Sequence, residues 1–227
     1  MAQPIHPAHD PASTSGTIHK ILLIIGAVAF GIVLLMTIMY VYAYEVYYDY
    51  LASFDQLFMV FGSVLRLIVI VTFIIWIVQV HRALRQRFPS YPISTVGAIV
   101  RFIPVVYIWG IASTFLTIAD YLSTQSSLVH KATRIRQLVG PLYLVIFVTH
   151  FLNQYIARYP LDASDGLVLV ASMFDFAEFA VFLWLTILIQ KSIATLYSSP
   201  PENIPMSETS EAPAEVINNM PNTTPLT

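Results

Sequence analysis

The sequence predicts an all-α, multi-pass integral membrane bundle: four full transmembrane helices plus one re-entrant or in-plane helical hairpin near Pro104. Three observations predict it. Hydrophobic residues make up 57% of the chain and charged residues only 11%, whereas soluble domains carry about 25% charged residues. Mean hydropathy is +0.71, and five apolar stretches reach the length of about 20 residues that a bilayer-spanning helix needs. The Lys and Arg residues between those stretches fit four crossings better than five.

The first stretch, residues 21–42, follows Lys20. It is too long for a signal-peptide core and reads as an uncleaved first span. Ala27 and Gly31 form a small-xxx-small pair, either a close-packing face or ordinary small residues in a membrane helix. Residues 1–19 are polar and read as a flexible N-terminal tail. The end of the first stretch and the residues after it carry Tyr40, Tyr42, Tyr44, Tyr47, Tyr48 and Tyr50, with Glu45, Asp49 and Asp55. Tyrosine carries an apolar ring with a polar tip, which suits the headgroup level; an aromatic ligand surface is the other reading.

The second stretch, residues 57–80, contains Arg66 and runs into Arg82, Arg85 and Arg87. A proline-bounded turn, residues 88–92, follows. The third stretch, residues 96–119, is interrupted by Pro104, which lacks an N–H, and by Gly110, a weak helix former. Lys131, Arg134 and Arg136 come next. The fourth stretch, residues 137–157, ends in His150, Asn153 and Gln154. The fifth, residues 167–190, contains Asp175 and Glu178 and stops at Lys191. The membrane domain is therefore expected over residues 20–197. Residues 198–227 are rich in Pro and Glu, cannot bury enough apolar surface to offset ordering, and read as a disordered tail.

Cytoplasmic loops are enriched in Lys and Arg. If all five stretches cross, basic residues fall on both sides. If the third returns to the side it left, Lys20, Arg82, Arg85, Arg87, Arg101, Lys131, Arg134, Arg136 and Lys191 share the cytoplasmic side, and only Arg158 faces out. Both termini are then cytoplasmic. Five full spans remain the alternative. The turn of such a hairpin must be covered by protein or reach water, because lipid cannot satisfy free backbone groups.

The run from Phe73 to Ser113 resembles a bacterial membrane family, domain of unknown function 4328. Trp76, His81, Arg82 and Arg85 match a helix end with Trp and basic residues. Phe102, Pro104 and Trp109 match the proline-containing element that follows. The chain departs from the pattern at Val100-Arg101, Tyr107 and Ile111. In order and hydropathy the likeness extends over residues 55–195. It implies a multi-pass protein of the bacterial cytoplasmic membrane and carries no activity with it.

Counting along the stretches places Arg66, His150, Asp175 and Glu178 at similar depth, roughly 12–18 Å from the outer side. Asp175 and Glu178, three apart, share a helix face; His150 shares one with Asn153 and Gln154. Intramembrane charges are costly and face the bundle interior. The cluster Arg66, His150, Asn153, Gln154, Asp175 and Glu178 is therefore either a buried ion pair that fixes helix register or a polar path for protons or a small solute. Arg66 is expected to pair with Asp175 or Glu178.

No nucleotide-binding, hydrolase or zincin motif occurs. There is no Cys, which excludes thiolate chemistry and Cys-ligated metals. No cofactor or metal is expected. A net charge of −2 gives no electrostatic footprint for nucleic acid. The expected partners are the lipid bilayer, anionic headgroups at the basic loops, and a membrane-protein partner or a second copy. The first functional expectation is a non-enzymatic scaffold or accessory subunit of a membrane complex. The second is a small transporter or proton-coupled channel using the polar cluster.

Overall fold

The computed structural model describes residues 12–94, 97–98 and 107–198. Every regular element among them is helical. The helices are α1 (Ser13–Tyr42), α2 (Ala52–Arg87), α3 (Tyr107–Leu122), α4 (Val129–Arg158) and α5 (Asp165–Ser198). A helical turn, Tyr44–Val46, and a π-helical turn, Tyr47–Leu51, link α1 to α2. Four of the helices, α1, α2, α4 and α5, are long and apolar enough to cross a membrane; α3 is a shorter apolar helix.

α1 begins at Ser13, so residues 13–19 are helical and not part of a flexible tail as the sequence suggested. The reason is local: Gly16 and His19 continue the buried face of the span toward its N-terminus. The C-terminal tail beyond Ser198 and residues 1–11 lie outside the described residues, as do Arg101, Phe102 and Pro104.

Contacts at the helix ends fix the topology. The N-terminus of α1 lies beside the C-terminus of α5, where Gly16 meets Gln190 and Trp76. The Tyr197 hydroxyl donates to the Ala83 carbonyl of α2 over 3.1 Å. The Lys131 ammonium of α4 donates to Thr195 Oγ1 over 2.9 Å. This termini end therefore gathers the start of α1, the end of α2, the start of α4 and the end of α5. The opposite, tyrosine end carries Tyr47, whose hydroxyl donates to Asp55 over 2.6 Å, and the exposed rings of Tyr42, Tyr44, Tyr48 and Tyr50.

The chain between α2 and α4 leaves and returns at the termini end. The Tyr121 hydroxyl, near the end of α3, donates to the Ser90 carbonyl over 2.7 Å. The rings of Tyr91 and Tyr121 sit 4.8 Å apart, and Arg136 of α4 pairs with Asp120 at 2.6 Å. Deeper in the bundle, Phe115 meets Phe73 of α2. α3 is thus the return limb of a segment that does not cross. Pro104 and its neighbours, residues 99–106, fall outside the described residues.

α1 packs most extensively on α5 and α2, α5 on α4, and α4 on α3; α2 and α4 scarcely touch. α3 fills the space between α2 and α4 at the termini end. There the main core combines Trp76, Ile77 and Val80 of α2, Phe115 and Ile118 of α3, Ile135 and Leu142 of α4, and Leu185 and Ile189 of α5. Toward the tyrosine end the second core joins only α1, α2 and α5, through Leu23, Ala29, Leu65, Val69 and Phe179. α4 is absent from it, and a gap remains.

Helix association in lipid depends on close backbone approach, since lipid tails are as apolar as the helix faces. The approach of α1 to α5 uses Gly26. A Cβ there would sit 2.4 Å from the Phe179 ring, whereas one at Gly31 would sit an ordinary 3.5 Å from Phe176. Of the two readings of Ala27 and Gly31, the close-packing one moves to Gly26. Phe179 is buried and stacks on Phe30 with centroids 4.6 Å apart, so its ring has little room to yield. Gly26→Ala is expected to destabilise the protein by about 1–3 kcal/mol, the usual cost of overpacking, and Gly31→Ala to leave thermal unfolding in detergent nearly unchanged.

The topology has its own test, clean because the chain has no native Cys. Ser90→Cys and Ser126→Cys are expected to react with an impermeant thiol reagent from one side of the membrane. Ser53→Cys and Ser164→Cys are expected to react from the other. Labelling of Ser90→Cys and Ser126→Cys from opposite sides would overturn the return of the segment.

Candidate functional site

The site stands where α4 separates from α2. Arg66, on α2, points its guanidinium across to α5. Its Nη2 donates to Asp175 Oδ1 over 2.6 Å and to Glu178 Oε2 over 3.2 Å. The sequence left open which acid Arg66 takes; it takes both, because their spacing of three residues puts both carboxylates on the α5 face toward α2. Asn153, from α4, donates its Nδ2 to both oxygens of Asp175 at 3.2 and 3.4 Å. Phe30 of α1 lies under the guanidinium carbon, 5.3 Å from its ring centre, a cation–π arrangement. Four helices thus meet at one charge cluster.

One positive group faces two negative ones, so the fully ionised cluster carries one negative charge in excess. It is not sealed: Arg66 is 34% exposed, Asp175 16% and Glu178 18% by side chain. The cluster borders a cleft of about 250 Å³ lined by Arg66, Ile70 and Phe73 of α2, Thr149, His150 and Asn153 of α4, Glu178 and Phe182 of α5, and His19 of α1, among others. The walls are mainly apolar, with a few converging polar groups, the usual make-up of a small-molecule site.

Of the residues singled out from the sequence, Arg66, Asn153, Asp175 and Glu178 come together as one network. His150 lines the same cleft. Gln154 is exposed and lies outside both the network and the cleft lining; it is one residue, about 100° of helix turn, past Asn153. Trp76 is fully buried at the termini half, and His81 is buried with its Nδ1 2.6 Å from the Tyr91 hydroxyl. Both shape the start of the returning segment. Arg82 and Arg85 are exposed at that end. Trp109 is described only as helical backbone.

His19 is the residue that sequence reasoning missed. It is fully buried, its ring stacked 5.2 Å from Trp76 and tilted 5.6 Å from Phe73. Its Nδ1 lies 3.2 Å from Thr72 Oγ1. The signal was present: Gly16, His19, Leu23 and Gly26 recur at three- and four-residue spacing, one face of a helix, and all four are buried. Thr149 is a second omission, buried on the opposite wall of the cleft.

Among the described residues no group of three or more His, Asp or Glu side chains is arranged to hold a metal ion. No protein-family model matches the chain, and no curated protein or solved structure gives a significant match.

The cluster predicts an ordering of variants. Asp175 takes the shorter bond from Arg66 and both contacts from Asn153, so Asp175→Asn is expected to cost more stability than Glu178→Gln. Arg66→Leu strands two facing carboxylates and is expected to lower stability by about 1.5–3 kcal/mol, the range for hydrogen bonds to charged groups, because partial exposure tempers the larger cost of a sealed pair. Adding Asp175→Asn or Glu178→Gln to Arg66→Leu is expected to recover part of the loss. Thermal unfolding in detergent reads all five proteins.

Proposed function

We propose that this chain is a small membrane transporter or proton-coupled channel, and that the cleft between α2 and α4 is the part of its pathway that meets the solute. The observation that carries this reading is the unsealed cluster. An ion pair that serves only to fix helix register needs neither a surplus charge nor an opening beside it, and this cluster has both. Here Arg66 and Glu178 border an apolar cleft at about half the depth of the bundle, with His150 on the facing wall. Ionisable groups at such a place in a membrane belong by default to a substrate or proton route. The surplus carboxylate is a group that can take up and release a proton as solute comes and goes.

A second reading, a non-enzymatic scaffold or accessory subunit of a membrane complex, is favoured by the same gap seen from the side. α2 and α4 scarcely touch, and Ile70, on the face of α2 that lines the gap, is exposed. A partner helix or a second copy seated there would complete the bundle. In either reading the membrane is the bacterial cytoplasmic one, with both termini in the cytoplasm. The basic residues of the termini end support the cytoplasmic side for both termini. Exposed Arg82, Arg85 and Arg134 would then meet anionic headgroups, each contributing about 1 kcal/mol near the surface.

Reconstitution into liposomes separates the two readings. With an imposed pH gradient, the protein is expected to conduct protons or to accumulate a cationic solute. Glu178→Gln is expected to abolish that flux while unfolding at nearly the parent temperature. Absence of any flux, together with a stoichiometric partner recovered from native membranes, would replace the transport reading with the scaffold one.

A further inference from the structure

We infer that the cleft between α2 and α4 is a binding site for small amphiphilic amines: a protonated nitrogen held at Glu178, an apolar body along the aromatic walls, and an O–H or N–H donor received by His19. This deepens the transport reading and rests on it, by naming the class of solute.

The charge at the head of the cleft selects the sign of the ligand. Arg66 directs Nη2 to both Asp175 and Glu178, and Asn153 adds its amide donor to Asp175. The two carboxylates remain one charge short of neutrality. A ligand cation supplies that charge and is itself relieved of the cost of a desolvated ion. A ligand carboxylate would bring a third negative group to the same place. Phe73, Phe179 and Phe182 line the cleft beyond the head. Their ring faces accept both an apolar chain and the flank of a cation.

The floor of the cleft selects a second group. The Thr72 hydroxyl has one proton, which it donates to the Val69 carbonyl over 3.1 Å. Its oxygen must therefore accept at the 3.2 Å contact with His19, so His19 Nδ1 carries the hydrogen. In the neutral ring, Nε2 is then a bare acceptor. His19 is fully buried and lines the cleft, and among the described residues Nε2 has no hydrogen-bond partner. Stacking on Trp76 and contact with Phe73 hold the ring against rotation. Thr149 Oγ1, on the α4 wall, is likewise buried, lines the cleft and has no partner among the described residues. Unpaired buried polar atoms are uncommon and call for an explanation. Two in one cleft, one an acceptor and the other a hydroxyl able to accept, describe the imprint of a donor-bearing ligand.

The spacing sets the ligand's length. His19 meets α2 at Thr72, six residues from Arg66, which is about 9 Å along a helix. A six-carbon amino alcohol suits that distance and a cleft of about 250 Å³.

The test uses the full chain in lipid nanodiscs, with empty nanodiscs subtracted to remove partitioning into lipid. Isothermal titration with 6-amino-1-hexanol, hexylamine, 1-hexanol and hexanoate reads the sign and length directly on the parent protein. Both amines are expected to bind saturably and hexanoate not to bind. The amino alcohol is expected to bind about 3–10-fold more tightly than hexylamine, the worth of one neutral hydrogen bond. Glu178→Gln is expected to weaken both amines by about tenfold or more. His19→Phe, which keeps a stacked ring and removes the acceptor, is expected to erase the amino alcohol's advantage and leave hexylamine unchanged; Thr149→Val serves as the second variant if His19→Phe does not fold. Preference for hexanoate, or non-saturable uptake of all four compounds, overturns the assignment. Liposome flux without saturable amine binding also overturns it and leaves a proton path. Saturable amine binding without flux supports the site and removes transport.

Discussion

α3 is about 24 Å long at the helical rise, short of a hydrocarbon layer of about 30 Å, and the Tyr121 hydroxyl ties its end back to the Ser90 carbonyl where the segment left α2. Much of the architecture follows from that constraint. A helix that cannot cross can fill only one half of the space it enters. α3 therefore wedges between α2 and α4 at the termini end, where the main core closes around Phe115, Ile118 and Leu122. It leaves the same two helices apart toward the tyrosine end. The cleft is the complement of the returning segment.

The charge cluster sits at the border of these two halves, and its composition suits the position. In the packed half a pair of carboxylates with one guanidinium would be stranded with an uncompensated charge. At an open wall the same groups keep their internal partners and a face toward the cleft. Arg66 bridges both acids, Asn153 holds Asp175, and Phe30 underlies the guanidinium. Both bonds leave one nitrogen, Nη2, and the flat guanidinium can at the same time lie over the Phe30 ring.

Much of this was legible from residue order alone. The meeting of Arg66 with Asp175 and Glu178 followed from equal depth once the topology was right, and the topology followed from where Lys and Arg fall. Helix faces were harder to read. Ala27 and Gly31 looked like the close-packing pair, yet Gly26 carries the tight contact with Phe179, because three consecutive turns of Ile, Leu, Val and Ala offer no polar residue to mark which side faces inward. His19 was hidden by its neighbour Lys20, which marks the membrane boundary by charge while the helix and its buried face run on to Ser13. Gln154 was included because it adjoins Asn153, and adjacency on a helix is separation in space. Phe102 and Pro104 lie outside the described residues.

Phe73 joins the two halves of the molecule. One side of its ring neighbourhood is His19, at the floor of the cleft; another is Phe115 of α3; a third is Phe182 of α5, edge-on at 5.6 Å. It is 6% exposed, and Phe115 is 1% exposed. Interiors packed to this degree do not absorb a displaced ring locally; they shift together or not at all. An occupant that reaches His19 therefore bears on Phe73, and through it on Phe115 of α3. The same short helix that leaves the cleft open is the element placed to respond when the cleft is filled.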